Sequence, residues 1–395
     1  MAKVLLTWEL GGGSGHLVNL RPFVCGLEAG GHKVFVALRH LSNGPNLLGG
    51  KAVSYLQAPY KSNVPRNVIS MARTFAHILH NIGFGDAAEL AALVDAWRSL
   101  IDWIGPDLII FDHSPTALLA ARGGKARRVL VGDSFCCPPD CTPFPDLRPW
   151  LPADRAALFT TEEIVLENTN RVLRLRGQPA LERLGQLYGE VDEVILTTLA
   201  DFDHYPHRAV ARYRGPWLPE GGELPAWPGG SGKKVFAYLK NFPALPQLLV
   251  LLRQTGCPTI MHIDGVSAEF QRQHESSTLC FHGNRLDLPR AARESDLAIL
   301  NGTHGSTVLT LLAGKPMLQL PLMLEQQLNA RATVRLGAGA SASAGQGETL
   351  AGALSGLLQS TACAEAASRF AARYARHSPW EESRRAVAEV LGFLA

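Results

Sequence analysis

No run of this 395-residue sequence approaches the ~18 consecutive apolar residues of a membrane-spanning helix, so no transmembrane segment is expected. An excess of one charge is also missing. Lys plus Arg number 38 and Asp plus Glu 35, leaving a net charge of +3 with the basic residues scattered. Nucleic acid is read by a clustered basic surface, so no nucleic-acid partner is expected. Metal-ligand spacing is absent as well. The 7 cysteines are Cys25, Cys136, Cys137, Cys141, Cys257, Cys280 and Cys363. Cys136, Cys137 and Cys141 match no zinc pattern and have no fourth ligand beside them in sequence, so no metal site is expected. The cysteine count is odd, and Met1 to Glu9 lacks the apolar region of an export signal. Both read as reduced thiols in a cytoplasmic protein.

What is present is a core-forming composition, 46% hydrophobic, at a length that suits two domains. Lys3 to Trp8 reads as a buried strand and Leu17 to Glu28 as a helix, with Gly11-Gly12-Gly13-Ser14-Gly15-His16 between them. Gly30-Gly31 then ends the helix, and Lys33 to Leu38 reads as a second strand. This is a βαβ opening. Its glycines register neither as a dinucleotide fingerprint nor as a P-loop. Pro106 to Asp112 is another buried strand, with Asp112 at its carboxyl end. Asp112 there suits either of two tasks, orienting an imidazole or capping the helix that starts at Ser114-Pro115.

Ala87 to Ile104 has helical periodicity through Leu90, Leu93, Val94, Trp97 and Ile101. In Asn63 to Phe84, the rings Phe75, His77, His80 and Phe84 suit either helix packing or a pocket wall. Residues 153–188 read as amphipathic helix and Val194 to Thr198 as a strand. Trp217 to Gly232, rich in Pro and Gly, reads as an interdomain linker. Strands are expected at Lys234 to Leu239, Thr259 to Ile263 and Leu279 to Phe281, with helices over 348–377 and from Trp380 to Leu394.

The most informative stretch runs from Asp296 to Ala330. Leu297 to Leu300 is a short apolar run that suits a buried parallel strand. Asn301-Gly302-Thr303-His304-Gly305-Ser306 follows as a small polar turn, and Thr307 to Ala313 can be helix, ended by Gly314. Bare N–H groups at such a helix start favour a phosphate. An unliganded βα turn has the same composition. The next strand ends at Pro321, and Glu325-Gln326 comes after it, where a carboxylate and an amide can bind the hydroxyls of a polyol.

Residues 296–330 resemble the donor-binding signature of family 1 glycosyltransferases through Gly305-Ser306-Thr307, Gly314-Lys315-Pro316, Pro321, Glu325-Gln326 and Asn329-Ala330. They depart from it at Asn301, where the family has a phosphate-contacting His, and at Leu309, where plant members carry a ribose-binding Glu. Gly15-His16, Gly31-His32-Lys33-Val34 and Tyr213-Arg214-Gly215-Pro216 are weaker matches. The resemblance implies an α/β protein of the GT-B class, two Rossmann-like domains facing a central cleft. The expected division is 1–216 for acceptor binding, 217–232 as linker and 233–379 for donor binding, with a helix over 380–395 packing back on the first domain.

The function implied is inverting transfer of a sugar from a nucleoside diphosphate sugar, a uridine diphosphate sugar by expectation, to a small-molecule acceptor. His16 would be the base and Asp112 its orienting carboxylate; His16 as a helix-capping side chain stays the plain alternative, and His113 is the second candidate base. Donor contacts fall to Gly13, Lys240, Arg285, Asn301, Gly302, His304, Gly305, Ser306, Thr307, Glu325 and Gln326. Backbone groups of Arg285 to Asp287 are expected at the edge of the base, and His304 is expected to take over the phosphate role from Asn301. No cofactor and no metal are expected beyond the nucleotide-sugar co-substrate. A nucleotide-sugar epimerase and a non-catalytic nucleotide-sugar-binding partner remain open, as does monomer against homodimer.

Overall fold

A computed structural model describes the chain except residues 43, 64–66, 153, 206–207, 209–210, 218–220 and 346, and the side chain of residue 155. Parts of three expected segments, 64–66, 153 and 218–220, therefore lie outside the described residues. The chain forms two compact units, one of Met1–Trp217 with Pro379–Ala395 and one of Leu218–Ser378.

The first unit carries six strands: β1 (Lys3–Trp8), β2 (Lys33–Leu38), β3 (Ser54–Gln57), β4 (Leu108–Asp112), β5 (Arg127–Gly132) and β6 (Glu193–Leu196). They lie in the order β3-β2-β1-β4-β5-β6, all parallel. The second unit repeats the plan with β7 (Val235–Lys240), β8 (Thr259–Asp264), β9 (Leu279–Phe281), β10 (Leu297–Leu300), β11 (Met317–Gln319) and β12 (Gly339–Ser341). Its order is β12-β11-β10-β7-β8-β9, again parallel. In each sheet the order reverses beside the unit's first strand. Loops leaving the carboxyl ends there splay apart and leave room for a ligand.

Burial on both faces explains the apolar strands. Val4, Leu6, Ile110 and Val131 pack on one side of the first sheet against Leu20, Phe23 and Leu27 of the helix Gly15–Ala29. Leu5, Ile109 and Phe111 pack on the other against Phe75, Trp97 and Leu118. The helix Ala87–Ile104 starts because Asp86 accepts the Ala88 and Glu89 N–H groups, and it ends at Gly105 with φ +57°. The closing helix, Pro379–Gly392, belongs to the first unit, where Ala386 and Val390 are buried and Val387 lies against Gly26.

Two expected boundaries shift. The helix expected over 153–188 is Arg155–Leu175; Gly177 at φ +65° breaks it, and only a short turn at Gln186–Gly189 follows. The stretch expected as linker is bound at both ends. Trp217 is buried in the first unit's core. In the second unit Glu223 pairs with Leu286, and the Trp227 indole donates to Glu294 at 2.8 Å. Proline and glycine content reports the lack of periodicity, and two tryptophans decide where the chain attaches. All seven cysteines are free thiols. Among the described residues, no helix is long and apolar enough to cross a membrane.

Candidate functional site

In the first unit, β1 and β4 pair so that Trp8 stands opposite Asp112 at the carboxyl edge. The loop after β1 then meets the turn after β4, with the Leu10 N–H donating to the His113 carbonyl at 3.2 Å. His16 follows on the first turn of its helix. Its Nδ1 lies 2.8 Å from Asp112 Oδ1, and its ring stacks on Trp8 at 5.1 Å between centroids. Asp112 is fully buried. Burial pushes its carboxyl up, and the His16 imidazole pulls it back. An ionised Asp112 can only accept, so Nδ1 donates and Nε2 keeps the basic lone pair. Gly11, at φ +82°, lies against that nitrogen: a Cβ there would stand 2.6 Å from Nε2. Ser114, not Asp112, takes the N-cap position of the helix Pro115–Ala121. Gly13 turns the loop at φ +96° with open space around it.

His113, the second candidate base, is a weak one. Burial, with the His16 imidazole next, lowers its pKa to about 3, so it takes no proton near neutrality. Phe75 and Phe84 are core residues, and His77 accepts the Arg73 N–H at 3.1 Å, so helix packing accounts for most of that group.

In the second unit, β10 leads through Gly302 into the helix His304–Leu312. Gly302 must be glycine: φ is +87°, and a Cβ would meet the Gln326 carbonyl at 2.9 Å. The N-cap residue Thr303 makes no side-chain cap. Gly305 is exposed with nothing within 4 Å of an added Cβ. The Glu325 carboxylate accepts the His304 N–H at 3.2 Å and the Asn329 amide at 3.0 Å. Ser306 Oγ bonds back to Thr303 Oγ1 at 2.7 Å.

Four expected donor contacts have hydrogen-bond partners within the fold. Asn301 braces strand ends, accepting from the Lys240 N–H at 2.6 Å and donating to the Leu320 carbonyl at 2.9 Å. Thr307 is fully buried, with its hydroxyl taking the Gln319 amide at 2.9 Å. Gln326 is buried, and its side-chain oxygen accepts the Leu322 N–H at 2.7 Å. At the expected base edge, the Arg285 carbonyl and the Asp287 N–H both bond to Glu223, each at 2.8 Å. Asn301, Thr307 and Gln326 are buried, and a buried polar group needs such a partner. Lys240 remains exposed at the end of β7.

A second imidazole–carboxylate pair was not foreseen. His262 Nε2 lies 3.1 Å from Asp264 Oδ1, and its Nδ1 lies 3.0 Å from the His282 carbonyl. Both partners only accept, so meeting both takes the imidazolium. The Asp264 bond accordingly raises the His262 pKa, and Tyr238 stacks on the ring at 5.3 Å. Period-two placement of His262 and Asp264 on β8 was the available signal.

Among the described residues, no group of three His, Cys, Asp or Glu side chains could hold a metal ion. An Asp-x-Asp spacing does occur at Asp201 and Asp203, but Asp203 is engaged by Arg208 and the Tyr213 hydroxyl, each at 2.8 Å. A cavity of about 590 Å³ opens at the carboxyl ends of β11 and β12, lined by Pro321, Leu322, Gln327 and Ser341 among others. Glu325 and Gln326 do not line it.

The chain superposes end to end on solved glycosyltransferases. Spinosyn rhamnosyltransferase SpnG matches with a TM-score of 0.68 at 17% identity, over 100% of this chain and 99% of that one. The glycotransferase of kitacinnamycin matches at 0.71 and 15%, over 99% of each chain. SnogD from Streptomyces nogalater matches at 0.63 and 18%, over 98% of this chain and 99% of that one. This chain has the GT-B fold. No protein-family model matches the sequence, and neither does any curated protein. SpnG has been solved with thymidine diphosphate and with spinosyn aglycone.

Proposed function

We propose that this chain is an inverting glycosyltransferase that moves a sugar from a nucleoside diphosphate sugar to a hydroxyl of a small-molecule acceptor. The observation that carries the reading is the His16–Asp112 pair, 2.8 Å apart on a fully buried carboxylate. A hydroxyl is a poor nucleophile until its proton leaves. Nε2 of His16 takes that proton as the acceptor oxygen attacks the anomeric carbon, and Asp112 stabilises the imidazolium that forms. The bond from the anomeric carbon to the diphosphate oxygen breaks on the opposite side, which inverts the configuration.

The departing diphosphate carries the growing negative charge. The N–H groups of Gly305 and Ser306, at the positive end of the helix His304–Leu312, are the donors this reading assigns to it, with Lys240 as a further charge. That arrangement routes no step through a metal. Glu325 is the remaining candidate for the sugar hydroxyls. A uridine diphosphate sugar is the expected donor, and the thymidine diphosphate bound in solved SpnG makes a thymidine diphosphate sugar the competing one.

Calorimetry with uridine and thymidine diphosphates, followed by transfer assays with the sugar of the tighter nucleotide, tests the reading. Product with an inverted anomeric centre is expected. A protein that binds neither nucleotide contradicts it.

A further inference from the structure

In the second unit, β7 and β8 bring four polar side chains together. In their parallel register Tyr238 stands opposite His262 and Lys240 opposite Asp264. Residues two apart on a strand share a face, so all four lie on one side of the sheet. The Tyr238 ring stacks on His262 accordingly, at 5.3 Å between centroids. Lys240 and Asp264 end their strands as cross-strand neighbours of opposite charge, both exposed at the carboxyl edge. The Asp264 carboxylate nevertheless turns to His262 Nε2, at 3.1 Å, and among the described residues it makes no ion pair with Lys240.

The imidazole is fixed from its other side as well. Nδ1 lies 3.0 Å from the His282 carbonyl, so His262 needs a proton on each nitrogen to meet both acceptors. His282 needs only one. Its Nε2 accepts the Ala226 N–H at 3.4 Å, which leaves its proton on Nδ1, 3.3 Å from the Glu223 carboxylate. Burial raises the pKa of the Tyr238 phenol, with Asp264 and Arg285 the charges that act on it, so Tyr238 stays neutral. His262 is therefore the group of this cluster that changes charge near neutrality. Its bond to Asp264 raises its own pKa and, ahead of the Lys240 charge, lowers that of Asp264.

Lys240 is tied to the candidate phosphate turn. Its N–H donates to Asn301 Oδ1 at 2.6 Å, and Asn301 opens the turn that leads into the helix His304–Leu312. The strands run β10-β7-β8, so Lys240 stands between that turn and Asp264. We propose that His262 is a positioning residue for the donor diphosphate: as the imidazolium it holds the Asp264 carboxylate away from Lys240, so that the Lys240 ammonium serves the diphosphate, and nucleotide affinity falls as His262 loses its proton. This rests on the reading of Lys240 as a donor contact. With the imidazolium present, Lys240 is the charge left over for an anion; without it, Asp264 and Lys240 cancel. Affinity is therefore high below the raised His262 pKa and is lost above it.

Calorimetry with the tighter of uridine and thymidine diphosphate, between about pH 6 and about pH 9, tests this. His262→Gln is measured beside the wild type, so that the nucleotide's own phosphate titration cancels in the ratio. The wild type should bind about fivefold tighter than His262→Gln at the acid end, and the two should converge at the alkaline end. In a Lys240→Met background the same substitution should change nothing at any pH, because the charge that His262 sets free is gone. Asp264→Asn, at an exposed position, carries the test if His262→Gln fails to fold: it should bind about fivefold tighter than the wild type at the alkaline end and level with it at the acid end. A wild-type to His262→Gln ratio that does not change with pH overturns the proposal, as does a ratio that persists in Lys240→Met or wild-type affinity of Asp264→Asn at the alkaline end. Those outcomes leave the proposed function standing. A wild type that binds neither nucleotide contradicts the proposed function and overturns this proposal with it.

Discussion

The Glu325 carboxylate accepts the His304 backbone N–H at 3.2 Å, so the candidate sugar contact also caps the helix whose N-terminus is the candidate phosphate site. Removing it has two separable effects. Glu325→Ala should cost about 1 kcal/mol of stability, the usual worth of a cap, in chemical denaturation. By calorimetry it should weaken the nucleotide sugar far more than the bare nucleoside diphosphate. Equal losses for the two ligands would remove Glu325 from the sugar site.

Gly302 and Gly305 should respond in opposite ways. Gly302→Ala meets the Gln326 carbonyl at 2.9 Å on a backbone with φ +87°, so the protein should lose roughly 1–3 kcal/mol of stability. Gly305→Val points into open space, so the fold should survive while the side chain blocks the diphosphate. Thermal melts and nucleotide calorimetry distinguish them. Unchanged nucleotide affinity in Gly305→Val would rule out the helix start as the phosphate site.

Glu9 makes stability depend on pH. Its carboxyl is fully buried and accepts the Thr116 N–H at 2.7 Å, yet desolvation raises its pKa from 4.5 to about 7. The folded state therefore holds a proton that the unfolded state releases between those values. Stability from this group is fully present below pH 4.5 and lost as pH rises to about 7. Glu9→Gln keeps an oxygen for Thr116 and cannot ionise, so it should flatten this slope and gain roughly 3 kcal/mol above pH 7. Parallel stability curves for wild type and variant would contradict the assignment.

The imidazolium at His262 makes a prediction of the same sign by another route. Its bond to Asp264 raises its pKa above the ordinary 6.5, so its contribution is present below 6.5 and lost as pH rises through the raised value. His262→Gln should remove that loss in melts recorded across the window. A wild type with no decline there would show that His262 is neutral in the folded protein.

The fold was legible because parallel strands buried on both faces must be apolar, and Leu297–Leu300 and Lys33–Leu38 are nearly so. Asp112 was legible as a strand-end residue and His16 as part of the Gly-rich turn after β1, but their contact depends on the register Trp8 opposite Asp112, which sequence does not display. The internal hydrogen bonds of Asn301, Thr307 and Gln326 were not legible, for one reason. A polar residue beside a ligand site and a polar residue satisfying a buried backbone look alike in sequence, and the hydrogen-bond partner distinguishes them. For His113, a candidate base in the sequence, the left-handed backbone and the unpartnered nitrogen could not be read, since they are properties of the folded turn.

The central claim is that Nε2 of His16 is the general base of sugar transfer. Turnover of His16→Ala against wild type, with a hydroxyl acceptor at neutral pH, measures it most directly. A loss of ~10²–10⁴-fold with nucleoside diphosphate affinity unchanged is the expected result. Near-full turnover in the variant would place the base elsewhere and contradict the account.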